Sequence, residues 1–243
     1  MILVVDIGNT QIKLGVFENQ KLIKEVSFLT FEAFKQNIDL LNSYSIDATA
    51  ISSVVPKLTS ITINEIKNYC NDNVLIVTDE NCQVKLNIEQ PNTVGADRLC
   101  NMAAGIYYYN YPLIIIDFGT ANTYDVIDSN CAFIGGVISP GVETSARYLI
   151  EKAALLDETK FKFPNQVIGK TTKTNIQSGI MFGAIDQITG MINRIKDETV
   201  TDNYTIVLTG GFGKLLSPKL NVEHVLDENL TLKGLLHIYN LNA

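Results

Sequence analysis

A chain of 243 residues, 46% of them apolar, with a formal charge of −7, holds enough hydrophobic side chain for one large or two small packed cores. The acidic balance excludes unspecific attraction to a phosphate backbone, which needs clustered Lys and Arg, so nucleic acid is not an expected partner. Cys70, Cys82, Cys100 and Cys131 lack CxxC spacing, no basic or apolar leader precedes the first elements, and no apolar run approaches the ~18 residues of a membrane helix, so a cytoplasmic protein with reduced thiols and no membrane partner is expected.

In chain order, hydrophobic periodicity predicts three successive strands at 2–5, 11–17 and 21–28, with Gly8 and Asn9 turning the first corner and Asn19 the second. A helix over 31–43, a strand at 48–53, a helix over 58–71 and a strand at 74–77 follow. A helix over 95–109, rich in small residues, leads to strands at 113–117, 122–128 and 131–138. Helices near 142–155 and 175–196, a strand at 205–208, and a last strand and helix within 222–240 complete the pattern. The order of elements repeats, and Asp6 and Asp117 are separated by close to half the chain. An α/β fold of two duplicated domains is expected, 1–112 and 113–243, with a ligand cleft between them.

The repeat is carried by DIGNT at 6–10 and DFGTA at 117–121. In each, an aspartate ends a strand and a glycine turns the corner, presenting backbone N–H groups and hydroxyls to an oxyanion. Asp6 and Asp117 would repel a phosphate chain at such a corner unless cations stood between, so bound cations are expected. One copy could be a plain turn, since Asp and Gly favour turns; two equivalent corners point to a clamp on one nucleotide. A third corner, TIVLTGG, ends a strand in Thr209, Gly210 and Gly211, where a flat base or ribose could rest on bare backbone, although an ordinary glycine turn reads the same way. PNQVIGKTT at 164–172 only imitates the phosphate loop GxxxxGK[ST]: Pro164 occupies the first glycine position, offers no N–H and cannot adopt glycine's conformations.

Between the halves, Gly95, Ala96, Asp97 and Arg98 open a helix. An arginine in the first turn opposes the helix dipole, and an incoming carboxylate would explain it. Asp97 suits that dipole whether or not it acts on a substrate.

DIGNTQIK, VGADR, DFGTANT, GGVISPG, the paired threonines of GKTT and LTGG occur in the order found in type III pantothenate kinases, a family of the acetate/sugar kinase, Hsp70 and actin superfamily, and the chain resembles that family from residue 1 to about 240. The resemblance implies two ribonuclease-H-like, actin-like ATPase domains, ATP bound between them, and phosphorylation of pantothenate to 4'-phosphopantothenate, the first step of coenzyme A synthesis. It implies that Asp6 to Lys13, including Gly8, Asn9 and Thr10, form one phosphate motif and Asp117 to Thr120, including Gly119, the other. Gly210 and Gly211 join the nucleotide site, and Mg²⁺ and a monovalent cation, potassium or ammonium, lie by Asp6 and Asp117. Gly95, Ala96, Asp97 and Arg98 would hold pantothenate, with Asp97 as proton acceptor; Thr172 would reach the substrate at the interface of a homodimer, near the helix that carries Arg147. Seven positions before Gly95 the family carries a tyrosine that contacts pantothenate, whereas this chain has Ile88. Isoleucine can cover the methyl-rich part of pantothenate but lacks the hydroxyl hydrogen bond, a loss of about 0.5 to 1.5 kcal/mol.

A carboxylate with a pKa of about 4 is too weak to deprotonate an alcohol in the ground state, so Asp97 is expected to orient the hydroxyl and take its proton late. Lys13 is read either as a partner of the transferring phosphoryl group or as a solvated strand residue. Two other classes share parts of the pattern: a kinase of another small alcohol or acid in the same superfamily, which would lack the GADR helix start, and a non-catalytic nucleotide-binding regulator or filament former.

Overall fold

The computed structural model describes residues 1–30, 38–70, 73–152, 160–201 and 203–243. Its strands are β1 (Ile2–Ile7), β2 (Gln11–Glu18), β3 (Lys21–Leu29), β4 (Ala48–Ser53), β5 (Val74–Ile76), β6 (Lys85–Leu86), β7 (Leu113–Phe118), β8 (Ala121–Ile127), β9 (Ala132–Pro140), β10 (Thr205–Thr209) and β11 (Val225–Leu226). Its helices are α1 (Pro56–Ile66), α2 (Ala96–Tyr108), α3 (Val142–Lys152), α4 (Thr172–Thr199), α5 (Gly213–Leu216) and α6 (Leu230–Asn242). Contacts divide the chain into two compact units, Met1–Tyr109 with Cys131–Ile134 and Asn229–Ala243, and Asn110–Asn130 with Gly135–Glu228.

In the first unit β1 is central, antiparallel to β2 and parallel to β4, in a sheet ordered β3-β2-β1-β4-β5. Its Leu3, Val4 and Val5 are fully buried although they point to alternate faces, the mark of a strand covered on both sides. Asn19 and Gln20 turn β2 into β3 with φ of 46° and 70°, the left-handed pair that matches hairpin twist. Pro56 opens α1, where a missing N–H is harmless; this helix begins before the expected residue 58 and ends at Ile66 rather than 71. Of the helix expected over 31–43, residues 31–37 lie outside the described residues, and Asp39–Ser43 forms a short 3-10 turn instead. The sequence pattern does not show β6, whose two residues pair in parallel with Ala132 and Phe133 at the start of β9.

The other sheet is ordered β6-β9-β8-β7-β10-β11, and beyond its edge strand β6 it runs β9-β8-β7-β10-β11. This is the same path: a three-stranded meander, then two strands laid parallel on the far side of its first strand. The duplication read from the sequence is therefore present in the topology, and it extends to register. Asp6 of β1 lies opposite Ser52 of β4, and Asp117 of β7 lies opposite Thr209 of β10.

The core of the second unit joins Ile114, Ile116 and Phe118 of β7 to Met181, Ala184, Ile188, Ile192 and Ile195 of α4, a three- and four-residue spacing that makes one apolar helix face. α4 is longer than the 175–196 predicted because Thr171 and Thr174 form a reciprocal capping box at its start, a device worth about 1 kcal/mol. The GKTT stretch is thus a helix start.

In the first unit α6 lies against α2 so closely that a Cβ on Gly234 would fall inside the Cys100 carbonyl group. Backbone cannot yield as a flexible side chain can. Gly234→Ala is expected to lower stability by about 3 kcal/mol, read as the urea midpoint of the full chain; an unchanged midpoint would show that the two helices separate freely.

Candidate functional site

The first unit gathers the DIGNT corner and the GADR helix start. β1 delivers Asp6 to its end, and the corner is closed by the Gly8 N–H donating to the Gln11 carbonyl at 2.9 Å and by the Thr30 hydroxyl donating to the Gly8 carbonyl at 2.8 Å. Asn9 and Thr10 are left exposed at the tip. The Ser52 hydroxyl donates to Asp6 Oδ1 at 2.9 Å. Lys13 lies opposite Asp6 on β2 and forms a 3.6 Å ion pair with Glu25, both partners partly exposed. Such a pair contributes little, about 0 to 1 kcal/mol, so Lys13 is held near the corner without being committed to Glu25.

At the start of α2, Asp97 Oδ1 accepts the Arg98 backbone N–H at 2.8 Å. A Cβ on Gly95 would stand 2.5 Å from that same oxygen, so glycine is required there by the approach of the carboxylate. Arg98 lies over the Phe133 ring, 5.5 Å from its centroid, which offsets the unfavourable place of a cation at a helix N-terminus by cation–π attraction. Burial pushes the Asp97 carboxyl above its ordinary range and outweighs the Arg98 N–H and the Arg98 charge, which both act to lower it. Burial, first, and then the charges of Asp6 and Asp97 raise the pKa of the Cys100 thiol. Ala96 is buried beneath this turn, and Ile88 is half-buried just beyond β6.

The second unit brings DFGT and LTGG together. At the corner after β7 the Gly119 N–H donates to the Ala121 carbonyl at 3.2 Å. The Thr120 carbonyl accepts the Gly141 N–H at 3.0 Å and the Thr144 hydroxyl at 2.6 Å. GGVISPG thereby ends against the corner, which the sequence alone did not indicate. Gly210 has φ +88°, and a Cβ there would strike Asp117 Oδ1 and the Phe118 backbone, so only glycine permits β10 to turn this close to β7. Gly211 beside it is exposed with open space around its Cα. Thr172 is exposed in the first turn of α4.

Among the described residues no group of three or more His, Cys, Asp or Glu could cage a metal ion. Carboxylates supplied one at a time, as by Asp6 or by Asp117, suit Mg²⁺, which keeps several waters and takes its remaining ligands from substrate phosphates. The residues present therefore fit a cation that arrives with a nucleotide.

A family model described as type III pantothenate kinase matches residues 2–194. The chain belongs to this family. It is 40% identical to a type III pantothenate kinase of Sulfurihydrogenibium sp., with 97% of this chain and 98% of that one covered. It is 38% identical to one from Bacillus cytotoxicus, over 100% and 97% of the two chains. Among solved structures, the activator of 2-hydroxyisocaproyl-CoA dehydratase from Clostridium difficile, with bound ADPNP, superposes with a TM-score of 0.58 at 11% identity, covering 99% of this chain and 94% of that one. At that identity the likeness shows the fold, which is the actin-like ATPase fold. Two features at the family's motifs escaped the sequence reading. Ser52 sits inside an apolar strand, where nothing local distinguishes it from a core serine, and Gly141 resembles a turn residue that merely follows a proline.

Because the folded chain holds the Asp97 proton more tightly than the unfolded chain does, ionising Asp97 costs stability as pH rises from the ordinary aspartate value through the raised one. Asp97→Asn keeps the acceptor for the Arg98 N–H and removes this cost. The variant is expected to resist urea better than the native chain at pH 7, with the difference vanishing below about pH 3.9, where Asp97 is protonated in both states. A lower midpoint for the variant at pH 7 would refute the raised carboxyl.

Proposed function

We propose that the chain transfers the γ-phosphoryl group of ATP to the terminal hydroxyl of pantothenate, giving 4'-phosphopantothenate and ADP in the first step of coenzyme A synthesis. The observation that carries this reading is Asp97. On the GADR stretch of a chain that belongs to the type III pantothenate kinases, this half-buried carboxylate shares its surroundings with the phosphate-corner carboxylate Asp6.

Each group has a role its chemistry allows. Arg98 and the N-terminal amides of α2 suit the pantothenate carboxylate, because a guanidinium fork and oriented N–H groups both match a planar anion. Asp97 accepts a hydrogen bond from the terminal hydroxyl and aims its oxygen at the γ-phosphorus. As that oxygen–phosphorus bond forms and the bond to the β–γ bridging oxygen breaks, the hydroxyl proton passes to Asp97 and ADP departs. A carboxyl held above its ordinary range by burial is a better proton acceptor than a solvated one, so the shift works in favour of the reaction. Gly8, Asn9, Thr10 and Lys13 serve the phosphates at one corner, Gly119 and Thr120 at the other, and Gly210 and Gly211 offer bare backbone to the nucleoside. Mg²⁺ beside Asp6, when bound, neutralises charge on the transferring group. A monovalent cation, potassium or ammonium, belongs beside Asp117.

In this reading the working form is a cytoplasmic homodimer, made from a repeat joined near residue 112, and Thr172 contributes to pantothenate binding at the interface. The exposed apolar side chains Ile138, Tyr148, Leu149, Val167 and Ile168 support a covered surface on the second unit. Ile88 replaces the hydroxyl of the expected tyrosine by apolar contact.

The test is ATP consumption with and without pantothenate, each with and without potassium. Consumption that requires both is expected. Asp97→Asn is expected to lower turnover about a thousandfold while leaving the affinity for ATP within about twofold. Pantothenate-independent hydrolysis alone, or near-normal turnover by the variant, would overturn the assignment.

A further inference from the structure

We infer that Ser52 is a positioning residue for phosphoryl transfer, fixing the Asp6 carboxylate at the phosphate corner. This rests on the proposed role of Asp6. Ser52 is fully buried on β4, directly opposite Asp6 in the parallel β1/β4 pair. A serine hydroxyl has one hydrogen, and here it is donated to Asp6 Oδ1 at 2.9 Å. This hydrogen bond ties the phosphate corner to a side chain that is shut away from water.

The second unit gives an independent parallel. Opposite Asp117, in the corresponding register of β7 and β10, stands Thr209, another hydroxyl residue, with 1% of its surface exposed. A buried hydroxyl on a strand that faces an apolar core carries a desolvation cost unless it is bonded. Both halves of the duplicated fold nevertheless place one beside the carboxylate. A purely structural position would be filled as well by alanine, as it is two residues earlier in β4 by the fully buried Ala50. The hydroxyl restrains the Asp6 side chain, so the carboxylate is held in a fixed direction toward whatever cation and phosphate arrive.

The experiment is a double-mutant cycle in the full chain, using Ser52→Ala, Asp6→Asn and the pair. The readouts are the affinity for a non-hydrolysable ATP analogue with Mg²⁺ by calorimetry, kcat, the KM for pantothenate, and the urea midpoint. Ser52→Ala is expected to weaken analogue binding about tenfold and to lower kcat about tenfold, with the pantothenate KM within about twofold of native. In the Asp6→Asn background it should change neither by more than about twofold, because the group it positions is gone. Ser52→Thr, which keeps the hydroxyl, is expected to bind the analogue as the native chain does. An equal loss in both backgrounds would make Ser52 a packing residue and overturn the inference. So would a Ser52→Thr variant with a native urea midpoint that binds as weakly as Ser52→Ala. Analogue binding does not depend on the acceptor, so a native enzyme that ignores pantothenate would refute the substrate and leave this cycle readable.

Discussion

A carboxylate at the end of a buried central strand is the constraint around which each half of this molecule is organised. Leu3 to Val5 and Leu113 to Ile116 are without exposed surface, and burial of that kind stabilises the strands by about 1.5 to 3 kcal/mol for each large aliphatic side chain. The same low-dielectric surroundings penalise an ion one or two residues further on. Asp6 and Asp117 stand where the strand leaves the core, so they are dry enough for their charge to be felt and open enough to meet a ligand. Glycine corners, hydroxyl neighbours and closely packed turns then follow as means of holding two acidic groups in that narrow zone.

Helix α2 applies the same principle to a different end. Asp97 lies at a helix N-terminus, where the dipole favours negative charge, yet desolvation prevails and its carboxyl moves up. The direction matters for chemistry: a group that merely binds a cation gains from a low pKa, whereas one that must take a proton gains from a raised one. Placing Gly95 next to Asp97, with no room for a methyl group, keeps the carboxylate inside the turn rather than letting it swing into solvent.

Much of this was legible in the residues themselves. Strands such as ILVVDI and LIIIDF are continuous apolar runs ended by Asp and Gly, and the repetition of that phrase marked the duplication. VGADR marked the start of α2. What escaped has a common cause. β6 is two residues long and has no period to detect, and its partner strand begins 46 residues later. The start of α4 depends on Thr171 bonding Thr174, which a hydrophobic pattern does not record. Ser52 looks like an ordinary core residue because its significance comes from the β1/β4 register, which sets it opposite Asp6. Periodicity reports which face of an element is buried; it cannot report which buried polar atom meets which.

The placement of α6 bears on how the chain reaches this structure. Its residues pack on α2 and on β2, with Leu232 against Gly15, so elements made first in synthesis wait for the last ones made. Residues 110–130 and 135–228, by contrast, form a unit that is nearly continuous along the chain and has its own core. On a ribosome, where emerging domains ordinarily fold in order from the N-terminus, this molecule inverts the sequence: the later unit can close while the earlier one still lacks its final helix.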